Sequence, residues 1–193
     1  MKKNNTNLMQ ILKPTIVLGM ICFITALLLA LVNSITLEPI KAQELAQENE
    51  AKQLVMPQGV DFIEKEYLGD KHFYYNEAYD QDGKLVGYIF KNRAHGYGGP
   101  ITVNVGVDPD GIIIGVKAMD LTETPGIGTQ VEDPAFTDQF IGKTLGLRAV
   151  SGTNPGDNEI QAISGATTSS NAFIESVQMS LGQFSLISGG KNE

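Results

Sequence analysis

From Pro14 to Leu37 the chain carries no charged residue, and Ile16 to Val32 is almost wholly apolar. At about 1.5 Å per residue such a run reaches roughly 36 Å, enough to cross a hydrocarbon core of about 30 Å with some tilt. Buried helices of soluble domains rarely stay charge-free for so long. A cleaved signal peptide would carry a shorter apolar region, about 7–15 residues, and a small-residue cleavage site. Asn33-Ser34-Ile35-Thr36-Leu37-Glu38 offers no such site, so the run reads as a retained anchor.

The flanks orient it. Lys2, Lys3 and Lys13 precede the run with no acid among them, whereas Glu38, Glu44, Glu48 and Glu50 follow with only Lys41 and Lys52. The positive-inside rule then keeps residues 1–13 in the cytoplasm, makes 14–37 the span of the cell (inner) membrane, and sends the rest across. All 22 acidic residues lie beyond the span, while three of the 14 Lys and Arg precede it, so the exported part carries about −11. That charge argues against a nucleic-acid partner.

The one cysteine, Cys22, sits inside the span, and the two histidines, His72 and His95, are far apart in sequence. No disulfide, thiolate-held iron–sulfur centre or other metal site is expected of the exported part. Redox chemistry there would need a cofactor held in another way.

Residues 38–53 are rich in Ala, Gln, Glu and Leu and read as a helical stalk closed by Met56-Pro57. Residues 54–193, about 140 in number, suffice for one core. Alternating or β-branched runs predict strands at Phe73–Tyr79, Leu85–Lys91, Ile101–Val107 and Ile112–Ala118, joined by Asp80–Lys84 and Asp108–Gly111 turns. Asp133-Pro134 predicts a helix through about Ile141, capped by Asp133. A last helix from Thr168 to about Phe184 would place Phe173, Val177, Leu181 and Phe184 on one face. The expected architecture is α+β: one N-terminal transmembrane helix and stalk, then a single domain with an antiparallel sheet and flanking helices.

Three segments exceed what structure alone requires. In Ile163-Ser164-Gly165-Ala166-Thr167-Thr168-Ser169-Ser170 the hydroxyls can cap a helix, but the same helix start offers free N–H groups to a phosphate and a hydroxyl open to esterification. Glu123-Thr124-Pro125-Gly126-Ile127-Gly128 is either a tight turn or a loop that brings backbone N–H groups and the apolar Ile127 to a planar ligand. His95-Gly96-Tyr97-Gly98-Gly99-Pro100-Ile101 lacks the order of a dinucleotide fingerprint or P-loop. Its Tyr97 is either an exposed loop residue or a cover for a ring.

Taken in this order, Gly-Tyr-Gly-Gly-Pro-Ile, Glu-Thr-Pro-Gly-Ile-Gly and Ser-Gly-Ala-Thr resemble the G subunit of the Rnf electron-transport complex. The C subunit of the sodium-pumping NADH:quinone oxidoreductase is similar but longer, and the compact domain here favours Rnf. The resemblance covers nearly the whole chain. It implies FMN joined through a phosphoester to Thr167, the last residue of Ser-Gly-Ala-Thr, and it excludes the neighbouring Thr168. It also implies a cofactor site drawn from Tyr97, Gly98, Gly99, Glu123, Thr124, Pro125, Gly126, Ile127, Gly128, Ser164, Gly165, Ala166 and Thr167. No catalytic residue is expected of the chain alone. The implied role is electron relay within a ferredoxin:NAD oxidoreductase coupled to Na⁺ or H⁺ export, with the other members of the complex and a flavin transferase as partners. A membrane-tethered FMN-binding sensory module without electron relay is the reading from another functional class. The sequence departs from the family pattern at Gln161, where an acidic residue is usual three positions before the Ser, and at Ile127, where Leu is common.

Overall fold

The computed structural model describes residues 4–69, 71–152 and 155–189. The chain divides into two compact units, one ending at Gln47 and the other beginning at Glu48. Helix α1 runs over Asn4–Val55 with Pro14 and Pro39 inside it. From Leu12 onward it is long and apolar enough to cross a membrane, and none of its most apolar stretch is buried. It stops at Val55 because Met56 precedes Pro57, and a residue before proline is pushed out of the helical region.

The second unit is built on a five-stranded antiparallel meander in the order β1 (Asp61–Leu68), β2 (His72–Tyr79), β3 (Leu85–His95), β4 (Pro100–Val107) and β5 (Ile113–Leu121). Four of these strands follow the alternation read from the sequence. Strand β1 is additional to them. It is an edge strand, mostly exposed, and its Glu64-Lys65-Glu66 run hides the period of two.

Two hairpin loops share one construction. Asp80 Oδ1 accepts the N–H groups of Asp82 and Lys84 at 3.0 and 2.9 Å. Asp108 Oδ1 accepts those of Asp110 and Ile112, both at 2.9 Å. Each loop places a glycine, Gly83 or Gly111, at positive φ (75° and 86°).

Alternate residues of β4 feed opposite faces. Ile101, Val103, Val105 and Val107 join Phe90, Phe173, Val177 and Leu181 in the main core. This core packs the sheet against α3 (Thr167–Gly189), whose small Ala172, Ser176 and Ser180 are buried. On the other side Val55 and Met56 pack with Ala78 and Ile89. A Cβ at Gly106 would collide with the Val55 carbonyl, so the end of α1 lies directly on the sheet.

The helix expected after Asp133 is only the four-residue α2 (Pro134–Thr137), followed by a 3-10 turn over Asp138–Phe140. Pro134 takes the first helical position as read, but the Asp133 side chain makes no capping bond. The turn carries Phe136 and Phe140 into the core, where their rings lie 5.4 and 5.3 Å from that of Phe173. Burial of these two rings outweighs helical continuation. Two three-residue strands, β6 (Arg148–Val150) and β7 (Glu159–Gln161), pair in parallel. They are too short to leave a sequence pattern.

Candidate functional site

The Phe136–Phe140–Phe173 cluster fixes the first turns of α3, and the candidate site lies just before them. Ala166 N–H donates to Ile163 O at 3.0 Å, closing a turn in which Gly165, at the third position, has φ 81°. Glycine at positive φ there is the mark of a type II turn. Ser170 Oγ locks it, accepting the Ile163 N–H and donating to Ala166 O, both at 3.0 Å. The first intrahelical bond is Ser170 N–H to Ala166 O at 2.9 Å. The N–H groups of Thr167, Thr168 and Ser169 therefore precede the helical ladder. Of the hydroxyls that could have capped the helix, Ser170 takes the backbone-bonding part, while Thr167 and Thr168 are exposed.

A second type II turn follows β5. Ile127 N–H donates to Thr124 O at 3.2 Å, Pro125 and Gly126 occupy the two central positions, and Gly126 has φ 76°. The donors expected of this loop are engaged within it. Gly128 N–H also reaches Thr124 O (3.0 Å), and Gly126 N–H reaches Thr129 Oγ1 (2.9 Å). The Ile127 side chain stays half exposed.

The third segment, Gly96 to Gly99, is the β3–β4 hairpin turn, closed by Gly96 N–H to Gly99 O at 2.8 Å. Glu123 bonds to it across 25 or more residues: Oε1 accepts the Tyr97 N–H at 2.8 Å and Oε2 the Gly98 N–H at 3.2 Å.

These segments meet around one pocket of about 630 Å³, within the usual range for small-molecule sites. Of the residues singled out from sequence, Tyr97, Glu123, Thr124, Ile127, Gly128, Gly165, Ala166 and Thr167 line it. Gly98, Gly99, Pro125 and Gly126 do not; they shape the walls. Ser164 opens instead into a neighbouring hollow of about 200 Å³ beside Gln139 and Gln161. Gln161 is tied there through its N–H to Gln139 Oε1 at 2.8 Å.

Thr168 and Ser169 also line the pocket; both lie in the segment singled out from sequence, but the motif excluded Thr168 and the expected cofactor site left Ser169 out. Their place in the first turn after the motif was the available signal. The lining combines an aromatic ring, apolar Ile127 and Ala166, and helix-start N–H groups with the hydroxyls of Thr167, Thr168 and Ser169. That donor set suits a planar ring bearing a phosphate. Among the described lining residues Glu123 alone is charged at neutral pH, and it is negative.

Nearby, Glu159 is held below the usual carboxylate range, first by the Gly156 N–H and then by Arg148. Arg148 donates to it through Nε and Nη2 at 3.0 and 2.7 Å.

Comparison with known proteins agrees with this geometry. Residues 96–182 match the FMN-binding domain, and residues 1–53 match the RnfG N-terminal region. The G subunit of the Na(+)-translocating ferredoxin:NAD(+) oxidoreductase complex of Acetobacterium woodii is 34% identical over 187 residues, covering 89% of this chain and 90% of its own. The chain belongs to the Rnf G-subunit family. Within that family, the G subunit of the proton-translocating ferredoxin:NAD(+) oxidoreductase complex of Clostridium ljungdahlii is 32% identical, covering 88% of this chain and 89% of its own. The G subunit of the ion-translocating oxidoreductase complex of Methanosarcina acetivorans is also 32% identical, covering 87% and 91%.

Two solved structures share the fold. The C subunit of the Na(+)-translocating NADH-quinone reductase from Parabacteroides distasonis has a TM-score of 0.57 at 18% identity, over 75% of this chain and 93% of that one. Shewanella oneidensis NqrC has a TM-score of 0.51 at 23% identity, over 67% and 69%.

Proposed function

We propose that this chain is the member of a membrane-bound ferredoxin:NAD oxidoreductase that carries FMN as a phosphoester of Thr167 and relays electrons through it. The observation that supports this reading most is the meeting of three sequence-distant motifs around one pocket whose wall includes the exposed Thr167. The FMN-binding domain match supports the cofactor, and family register favours Thr167 over Thr168, which is also exposed.

When bound, FMN supplies the redox chemistry, and the protein supplies attachment and surroundings. The N–H groups at the start of α3 would face the phosphate, with Ala166 and Gly165 allowing close approach. Tyr97 and Ile127 would border the ring system. A phosphate dianion would find no Lys or Arg among the described lining residues, only Glu123. Esterification leaves the phosphate one negative charge and makes retention independent of a cationic clamp.

The Lys-bearing N-terminal flank and the acidic remainder support residues 1–13 in the cytoplasm, 14–37 in the membrane and 38–53 as a stalk. Residues 54–193 then form the FMN domain on the far side. The attached cofactor could not be lost there. The partners are the other members of the Rnf complex, the membrane, and a flavin transferase acting on Ser164-Gly165-Ala166-Thr167. Coupling is to Na⁺ or H⁺, the two ions named for the Acetobacterium and Clostridium relatives.

Intact-mass analysis of the protein from its native membrane tests the reading. The expected mass exceeds that of the chain by one FMN less one water. Thr167→Ala removes the addition entirely and leaves the exposed helix start folded. Flavin retained in that variant, carried on Thr168, would overturn the assignment.

A further inference from the structure

Glu123 is a cofactor-site residue by motif, yet each of its carboxylate oxygens already has a backbone donor from the opposite loop. Oε1 holds the Tyr97 N–H at 2.8 Å and Oε2 the Gly98 N–H at 3.2 Å. Hydrogen bonds to an ionised acceptor are stronger than neutral ones. Gly96 and Gly128, one from each loop, bracket this carboxylate so closely that a Cβ on either would collide with it. Gly98 has no room for a Cβ because the Thr122 carbonyl is in the way. The Tyr97 ring beyond this clamp is 78% exposed and lines the pocket. The tyrosine is thus fixed at its backbone and open at its ring.

We infer that Glu123 is a positioning residue for the flavin pocket: its carboxylate fixes the Gly96–Gly99 turn against the Thr124–Gly128 turn, and so sets where Tyr97 stands relative to the bound ring. The inference rests on the reading of the pocket as the FMN site. It assigns the glycines of two motifs to close packing around one carboxylate. It also explains how a negative side chain can line a site for a phosphate-bearing ligand, since two N–H dipoles face its charge.

The test uses the full-length chain purified with its flavin, after intact mass has established occupancy. Glu123→Gln keeps the shape but turns an NH₂ group toward one of the two N–H donors. Glu123→Asp keeps the charge but falls one methylene short. Glu132→Gln, an exposed change outside the pocket, is the control.

In the wild type, hydrogen exchange of a peptide spanning His95–Ile101 is slow. In both Glu123 variants it speeds up about tenfold or more. Flavin remains on Thr167 in both variants, while its visible circular dichroism weakens and its reduction potential shifts. The control leaves all three readouts unchanged.

Fast exchange in the wild type overturns the clamp without recourse to any variant. Faster exchange with unchanged flavin dichroism and potential reduces Glu123 to a structural residue and overturns its positioning role. A wild-type mass lacking flavin overturns the cofactor reading instead, and exchange still reports on the clamp alone.

Discussion

The loops joining β2 to β3 and β4 to β5 are tied by their own residues alone, whereas the loops that wall the pocket, each closed by its own turn bonds, are also tied to each other through Glu123. Asp80 and Asp108 each bond to N–H groups two and four residues ahead. Glu123 bonds to N–H groups in a different hairpin. A self-closed loop can change without notice elsewhere. Mutual closure couples the shape of one wall to the other, which suits a site that must hold a ring in one orientation.

The largest expected break in this contrast is Gly98→Ala. The added methyl meets the Thr122 carbonyl, backbone that cannot rotate away, and the overpacking costs about 3 kcal/mol. Denaturant unfolding measures it, and the flavin dichroism should weaken in parallel.

Asp108→Ala is the matched change in a self-closed loop. Two backbone N–H groups lose an ionised acceptor, costing about 1.5 kcal/mol, with the flavin spectrum unchanged. A flavin response of the same size as in Gly98→Ala would erase the distinction between the loop types.

The smallest effect is electrostatic, between the first residues of β6 and β7. Glu159 is held below its ordinary value by the Gly156 N–H and Arg148. A depressed carboxylate contributes stability that is fully present above the unfolded value, about 4.3, and is lost as pH falls through the lower folded value. Both Glu159→Gln and the wild type should therefore unfold alike at the acid end of that window. Above it the wild type should be slightly more stable. Stability of the two proteins against pH, with flavin signals unaffected, checks the sign.

What could be read in advance follows from how far each feature reaches along the chain. The apolar run, the two Asp-Gly hairpins and the strands around them are local: the run is helical, the hairpins stand where read, and the strands form there, with β3 continuing past Lys91 to His95 and β5 past Ala118 to Leu121. The last helix begins at Thr167 and runs to Gly189, because Leu181, Phe184 and Ile187 continue its buried face. Strand β1 escapes a reading by pattern because its exposed faces carry charge in succession, and β6 and β7 because three residues show no period. The four-residue α2 is set by where Phe136 and Phe140 must go, which depends on Phe173 far downstream. For the site, the motifs showed which segments matter but not what each residue does there. Glu123 and Gly98 look like ligand contacts in isolation, and only the hairpin pairing reveals one as the acceptor for the other. Thr168 and Ser169 enter the pocket through helix geometry rather than through the motif.

The contact between α1 and the sheet determines where this protein can be cut. Ala51 is 3% exposed, and Val55 and Met56 are fully buried. The second compact unit begins at Glu48, six residues ahead of the boundary read at Leu54. A soluble fragment starting at Leu54 would retain Val55 and Met56 but lose the helical turns that press Val55 onto Gly106 and Gly115 and Met56 onto Gly87. One starting at or before Glu48 keeps its own lid.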